Sequence, residues 1–227
     1  MPADRLRTVL QRIQNAADAT GRPVPALLAV SKTQPADAVA ALAGAGQQAF
    51  GENYVQEAAA KRASLAADHP DLQWHLIGHL QSNKAALAAE VFDWVQSVDR
   101  DSVIAALARH RAPQRPRLNV LIQVNVEGEP GKGGCPPGAI AGLAERVAAE
   151  PRLALRGLMS IPVPHADPEA RRPAFARMRA LFADLAVRHP GVDTLSMGMS
   201  DDFPVAIAEG ATMVRIGTAL FGPRPKA

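Results

Sequence analysis

Two patterns of apolar residues alternate along almost the whole chain. Between residues 4 and 19, apolar residues recur at intervals of three and four, which predicts an amphipathic helix that ends near Gly21 and Pro23. Residues 25–30 then form a short apolar run without polar alternation, a pattern typical of a strand that is buried on both faces. The same pair of patterns repeats up to residue 216.

The repetition predicts eight strands, each followed or preceded by a helix. The strands are expected at residues 25–30, 48–50, 73–77, 94–98, 120–126, 153–160, 194–197 and 213–216, and the later helices at residues 35–45, 54–67, 82–89, 100–109, 136–149, 168–188 and 201–209. Strict alternation implies parallel strands, and eight such units in 227 residues favour a closed (β/α)8 TIM barrel over an open sheet. We expect a single domain over residues 1–227, with the N-terminal helix as the eighth outer helix.

Charge and cysteine content argue against several classes of protein. The formal net charge is only +3, and the 25 basic residues are spread along the chain, so no nucleic-acid partner is expected. Cys135 is the single cysteine, which leaves no intramolecular disulfide and no cysteine-based metal site. No segment resembles a signal peptide or a membrane span. We therefore expect a cytoplasmic protein, monomeric and without a membrane partner.

Only five of the basic residues are lysines, and one of them directly follows the first predicted strand. Loops after barrel strands lie at the catalytic face, so Lys32 belongs to that face. Apolar surroundings lower the pKa of an amine and expose its lone pair, which suits Lys32 to form a Schiff base with an aldehyde or ketone. The alternative is a lysine that extends into solvent. Lys61, on a predicted helix, and Lys226, near the C-terminus, are expected to be ordinary surface residues.

The last two predicted strands end in small and hydroxyl residues, which suggests a phosphate site. Barrels commonly bind phosphate in the loops after strands 7 and 8. Gly198 and Gly217 would let a phosphate approach the backbone, and Ser200 and Thr218 would offer hydroxyl donors. Alternatively, Ser200 only caps the next helix and Gly217 only ends a strand.

A Schiff-base lysine beside a phosphate site points to a phosphorylated carbonyl compound. The candidates are a sugar-phosphate aldolase substrate and pyridoxal 5′-phosphate (PLP). Arg215, on the last strand, should point into the barrel, where a cation facing the ring nitrogen of PLP would keep that nitrogen unprotonated and disfavour transamination. The alternative for Arg215 is a buried ion pair with a carboxylate such as Glu52.

Six motifs make the chain recognisable from about residue 24 to residue 222. They are residues 29–33 (AVSKT), 50–57 (FGENYVQE), 74–84 (WHLIGHLQSNK), 157–160 (GLMS), 195–202 (LSMGMSDD) and 213–222 (MVRIGTALFG). Together they closely resemble the PLP homeostasis protein family (YggS type), which is related to the N-terminal barrel of alanine racemase.

The resemblance implies PLP bound covalently to Lys32 as a Schiff base, and a role in intracellular PLP homeostasis without catalytic turnover. The further site residues that it implies are Asn53, His75 and Ser160 near the cofactor, Arg215 at its ring nitrogen, and Ser200, Gly217 and Thr218 around its phosphate. Apo forms of PLP-dependent enzymes are the candidate recipients of the cofactor. For a histidine within a strand, a core position is the alternative.

A PLP-dependent racemase-like enzyme is the alternative function. Alanine racemase takes a second acid/base group from an additional domain, and this sequence shows neither that domain nor a tyrosine other than Tyr54. Only Tyr54 or His79 could then substitute. Lys132 lies in the loop where family members carry lysines that contact PLP, but its Gly- and Pro-rich surroundings depart from the family pattern. Cys135, close by, is expected to be an inert surface thiol.

Overall fold

The computed structural model describes residues 1–222, which form a closed barrel of eight parallel strands. The strands are β1 Ala26–Val30, β2 Ala49–Glu52, β3 Gln73–Leu76, β4 Trp94–Val98, β5 Leu118–Gln123, β6 Leu153–Met159, β7 Thr194–Ser196 and β8 Met213–Ile216. Each strand pairs with the next, and β8 pairs with β1 to close the barrel. The predicted closed (β/α)8 barrel is thereby confirmed. Lys226 lies outside the described residues, and the single-domain assignment of residues 1–227 stays a prediction.

Helices surround the strands in the alternation that the sequence predicts. They are α1 Pro2–Thr20, α2 Ala36–Ala43, α3 Val55–Leu65, α4 Ala85–Val91, α5 Asp101–His110, α6 Ile140–Ala148, α7 Arg172–Arg188, α8 Phe203–Ala208 and the short α9 Thr218–Phe221. Helix α1 buries Leu6, Val9 and Ile13 and packs against α2, α8 and α9, so it occupies the eighth outer position as expected. Among residues 1–222, no helix has the length and continuous apolar surface needed to cross a bilayer.

Strand β2 differs most from its prediction, because it continues through Gly51 and Glu52 instead of ending at residue 50. A glycine and a carboxylate are usually signals of a loop. Here a Cβ on Gly51 would lie only 3.1 Å from the Leu28 side chain and 3.2 Å from that of Ile77, so the glycine makes room for two apolar neighbours. Glu52 is fully buried because an ammonium group pairs with it.

Smaller shifts occur where turns precede helices or end strands. Helices α6 and α7 begin later than predicted because 3₁₀ turns at Pro137–Ala139 and Pro168–Arg171 come first. Strand β5 is displaced towards the N-terminus relative to the predicted residues 120–126, since Asn125 already bonds the backbone of Glu129 in a turn. Helix α9 was not predicted at all.

Candidate functional site

A cavity of about 330 Å³ opens at the C-terminal ends of the strands. Its lining includes Lys32, Asn53, Ser200, Arg215, Gly217 and Thr218, together with Val30, Gln34, Ile77, Ile161, Met199, Asp201, Phe221 and Gly222. Six of the eight predicted site residues therefore meet at one place, although they come from the ends of β1, β2, β7 and β8. His75 and Ser160 are not part of this lining.

Lys32 lies half-buried directly after β1, and the residues on either side of it are bonded to two acids, one buried and one half-buried. Ser31 donates a hydrogen bond from Oγ to Oε1 of Glu52 at 2.6 Å. The backbone N–H of Thr33 donates to Oε1 of Glu57 at 2.6 Å. The backbone that carries the lysine is thus held from both sides.

A second lysine joins these two acids. Lys61 is only 6% exposed, and its ammonium lies 2.7 Å from Glu52 Oε1, 2.6 Å from Glu57 Oε1 and 2.7 Å from the carbonyl oxygen of Ser31. Burial raises the pKa of Glu52, while the hydrogen bonds from Lys61 and Ser31 counteract that shift. The prediction of Lys61 as a surface residue is wrong, because its helix turns this face towards the buried carboxylate.

The sequence did carry a signal for this cluster. Glu57 and Lys61 are separated by four residues, a spacing that places their side chains on the same face of a helix. In a chain that mostly uses arginine, a lysine at this position was a further indication. The partner Glu52 was harder to find, because the contact depends on the course of β2.

Arg215 lies on β8, is 4% exposed and forms part of the cavity wall. Nη1 donates to Ser196 Oγ at 2.7 Å, and Nη2 donates to the carbonyl oxygen of Ser160 at 2.7 Å. Burial lowers the pKa of the guanidinium to about 10, so the group remains a cation at neutral pH. The alternative pairing with Glu52 is wrong, since Arg215 donates to Ser196 and Ser160 instead, and Glu52 pairs with Lys61.

A hydrogen-bonded chain continues from Arg215 into the barrel. Ser196 donates to Oε1 of Gln96 at 2.7 Å, and Nε2 of Gln96 lies 3.0 Å from Nδ1 of His75. Since an amide nitrogen only donates, Nδ1 accepts and the imidazole is neutral. Burial lowers the pKa of His75 to about 3, in agreement with that state. His75 therefore lies behind the cavity wall, and Ser160 contributes its backbone carbonyl to Arg215.

The turns after β7 and β8 supply the hydroxyl groups of Ser200 and Thr218 to the cavity. Helix α8 begins at Phe203, with Asp202 at its N-cap position, so the interpretation of Ser200 as the cap is wrong. Asp202 instead accepts a hydrogen bond from the backbone of Met199 and fixes the turn. At Gly217, a Cβ would lie 3.2 Å from the carbonyl oxygen of Val30, so a larger residue would crowd the cavity wall.

The loop at residues 127–138 does not line the cavity. Its Lys132 forms an ion pair with Glu129. Cys135 is buried, so its assignment to the surface is wrong; burial and the nearby charge of Asp99 raise the pKa of its thiol to about 11. Tyr54, 61% exposed, also lies outside the lining.

Several proteins of one known family are similar to this chain in sequence and fold over nearly their whole length. The family model for the alanine racemase N-terminal domain matches residues 4–225. A pyridoxal phosphate homeostasis protein of Pseudomonas aeruginosa is 55% identical, covering 98% of this chain and 95% of that protein. The Escherichia coli K12 protein of the same name is 48% identical, covering 98% and 96%.

A solved structure extends the similarity to three dimensions. PipY of Synechococcus elongatus, determined with PLP bound, has a TM-score of 0.85 and 38% identity, covering 98% of this chain and 100% of PipY. The resemblance of the six motifs is thereby confirmed. The chain belongs to the pyridoxal phosphate homeostasis protein family, whose members share the fold of the alanine racemase N-terminal domain.

Proposed function

We propose that this protein binds PLP covalently through Nζ of Lys32 and takes part in intracellular PLP homeostasis without catalytic turnover. One observation carries the proposal: an amine, a buried guanidinium and two hydroxyl groups line the same cavity of about 330 Å³, within the range typical of small-molecule sites. The names of the homologous homeostasis proteins and the PLP-bound structure of PipY support it.

The lining fits the cofactor group by group. PLP supplies an aldehyde that condenses with a primary amine with loss of water, and a phosphate that needs hydrogen-bond donors. Lys32 would provide the amine, and Ser200 and Thr218 would provide hydroxyl donors beside Gly217. The room at Gly217 supports this end of the site, since a side chain there would press on Val30 and narrow the cavity.

Arg215 would face the ring nitrogen, where it disfavours catalysis. A buried cation held by Ser196 and Ser160 has little freedom to move away, and beside it a pyridine nitrogen would remain unprotonated. Without that proton the ring is a weaker electron sink. Asn53 would contact the cofactor from the end of β2, whereas His75 would support it indirectly through Gln96, Ser196 and Arg215.

The racemase-like alternative needs a second acid/base group across from the lysine. Among residues 1–222, the cavity lining contains no histidine, tyrosine, cysteine or glutamate, and Asp201 is its acidic residue. Tyr54 and His79 line a neighbouring depression instead. This composition supports a holding site over a two-base enzyme.

Absorption spectra of the purified wild-type and Lys32→Ala proteins, titrated with PLP, test the proposal. We expect a visible band for the wild type, and mass spectrometry after borohydride reduction should locate the added mass on the peptide that contains Lys32. Lys84→Ala is the matched control and should behave like the wild type. A wild-type protein that takes up no PLP would refute the proposal, and trapping of a ketose phosphate on Lys32 without PLP would favour an aldolase.

Two further measurements address turnover and delivery. Incubation with alanine in deuterated water should give no exchange of the α-hydrogen at enzymatic rates; rapid exchange would support the racemase-like alternative.

We place the protein in the cytoplasm as a monomer that supplies apo PLP-dependent enzymes. Mixing the PLP-loaded protein with an apo-enzyme should then restore that enzyme's activity, while the Lys32→Ala protein, prepared in the same way, should restore much less.

A further inference from the structure

A buried cluster of charges lies next to the loop that carries Lys32. It consists of Lys61, Glu52 and Glu57, joined by hydrogen bonds of 2.6–2.7 Å. Glu52 is fully buried, Lys61 nearly so, and Glu57 half-buried. These three residues are outside the lining of the cavity, so direct contact with a bound ligand does not account for them.

Burying charges is unfavourable unless their geometry is satisfied, and an apolar replacement of similar volume often gives equal stability. A buried ammonium paired with two carboxylates is therefore not expected to stabilise the fold more than apolar residues of similar volume would. Oε2 of Glu52 also has no hydrogen-bond partner among the described residues. Some other advantage is needed to explain why the charges are placed here.

What the cluster holds is the backbone on both sides of Lys32. Ser31 is fixed twice, since its carbonyl oxygen accepts from Lys61 and its hydroxyl group donates to Glu52. Thr33 is fixed by the bond from its N–H to Glu57. Thr33 also has φ = 64°, a left-handed conformation that is unfavourable for a β-branched residue and needs such support.

We propose that Lys61 is a positioning residue for Lys32: by holding Glu52, Glu57 and the carbonyl group of Ser31, it fixes the turn that presents Nζ of Lys32 to the aldehyde of PLP. This inference rests on the proposed function. In the covalent step, the nitrogen of Lys32 forms a bond to the aldehyde carbon, and the carbonyl oxygen leaves as water with two protons that come from the amine. The step requires close approach and correct orientation, which a fixed turn provides.

The test compares two ligands that differ only at the reacting group. PLP has the aldehyde, whereas pyridoxine 5′-phosphate has the same ring and phosphate but carries an alcohol there and cannot form the imine. Lys61→Met removes the ammonium and keeps most of the side-chain length. For this variant we expect the rate of covalent capture and the affinity for PLP to fall about tenfold or more, because misplacement by a fraction of an ångström has effects of this order. Affinity for pyridoxine 5′-phosphate should change less than about twofold.

Two further variants keep the inference testable if Lys61→Met folds poorly. Glu57→Gln alters the half-buried acid that holds Thr33, and it should show the same selective loss for PLP to a smaller degree. Lys84→Met, a substitution of the same type beyond β3, is the control and should change neither ligand. In a Lys32→Ala background, Lys61→Met should have no additional effect on PLP.

Each outcome has a distinct meaning. Equal losses for PLP and pyridoxine 5′-phosphate would show that Lys61 maintains the shape of the whole cavity, which overturns the positioning role. Unchanged PLP capture in both Lys61→Met and Glu57→Gln would overturn it as well. If the wild type itself fails to form the covalent adduct, the proposed function fails first, and that result is seen before any Lys61 variant is measured.

Discussion

Arg215 donates a hydrogen bond from Nη1 to Oγ of Ser196 at 2.7 Å, and both side chains are buried in the barrel. Ser196 donates a hydrogen bond to Gln96, and Gln96 donates to His75, so the series runs in one direction from Arg215 to Nδ1 of His75. The orientation of the guanidinium is therefore set by residues from β4 and β7 as well as by its own strand.

Replacing Ser196 by alanine should loosen that arrangement. The change leaves Nη1 of Arg215 and Oε1 of Gln96 without a partner in a buried place, which costs about 1–3 kcal/mol. Urea unfolding should show the loss of stability, and PLP titration should show weaker binding. Ser102→Ala, on the exposed side of α5, is the control and should change stability by less than about 0.5 kcal/mol. Equal stability of the Ser196 and Ser102 variants would contradict the prediction.

His75 should make the protein less stable in mild acid. Burial lowers its pKa to about 3 in the folded protein, while the histidine of an unfolded chain takes up the proton near its ordinary pKa of 6.5. The contribution of His75 is therefore fully present above pH 6.5 and is lost progressively as the pH falls towards 3. Between pH 7 and pH 5 this linkage removes about 2 kcal/mol from the free energy of unfolding.

Urea unfolding at several pH values measures that effect. In His75→Gln, the glutamine can still accept from Gln96 but does not titrate, so this part of the pH dependence should disappear. His165→Gln replaces an exposed histidine and should leave the slope as in the wild type. A His75→Gln protein with the wild-type slope would refute the assignment.

Gly78 should be intolerant of a side chain because of its closeness to Asn53. A Cβ at this position would lie 2.2 Å from the carbonyl oxygen of Asn53, so the backbone at the cavity wall must shift. We expect Gly78→Ala to lose about 1–3 kcal/mol of stability and to bind PLP at least tenfold more weakly. Calorimetry and PLP titration measure the two effects.

Gly142 provides a matched comparison, since nothing lies within 4 Å of a Cβ there and the residue is inside α6. Alanine favours a helix over glycine by about 1 kcal/mol, so Gly142→Ala should be slightly more stable and bind PLP as the wild type does. If both glycine variants bind PLP normally, the position of Asn53 at the cavity wall does not depend on the absence of a side chain at Gly78.

Cys135 should resist alkylation in the native protein. Its thiol is buried and its pKa is raised to about 11, so little thiolate exists at pH 8. Labelling by iodoacetamide should be slow without denaturant and fast in urea above the unfolding transition. Rapid labelling of the native protein, at the rate of a free thiol, would mean that the segment around Cys135 opens readily.

Much of the barrel could be predicted because its strands are short apolar runs between amphipathic helices. The predicted bounds of strands and helices were wrong where a contact between residues that are not adjacent in sequence decides where an element begins or ends. Glu52 belongs to a strand because Lys61 neutralises it, and α8 starts late because Asp202 bonds back to Met199. Neither contact changes the spacing of apolar residues from which strands and helices are predicted.

The candidate site followed from one topological rule, namely that strand ends meet at the same face of a barrel. The rule brought Lys32, Ser200 and Thr218 together correctly as cavity residues, while their roles towards PLP stay predictions. It could not distinguish residues that reach the cavity from those one layer deeper. His75, in the middle of β3, is such a case, since its depth depends on the register of the barrel.

Helix α1 has a consequence for the way this molecule is made. The helix leaves the ribosome long before α8 and α9, yet those two helices are neighbours against which it packs. Its buried leucine, valine and isoleucine can pack against α2 early, but they reach their full burial only after the last strand has emerged. Because such long-range closure is slow, the final docking of α1 is expected to limit the folding rate, and the nascent chain is most prone to aggregation just before it.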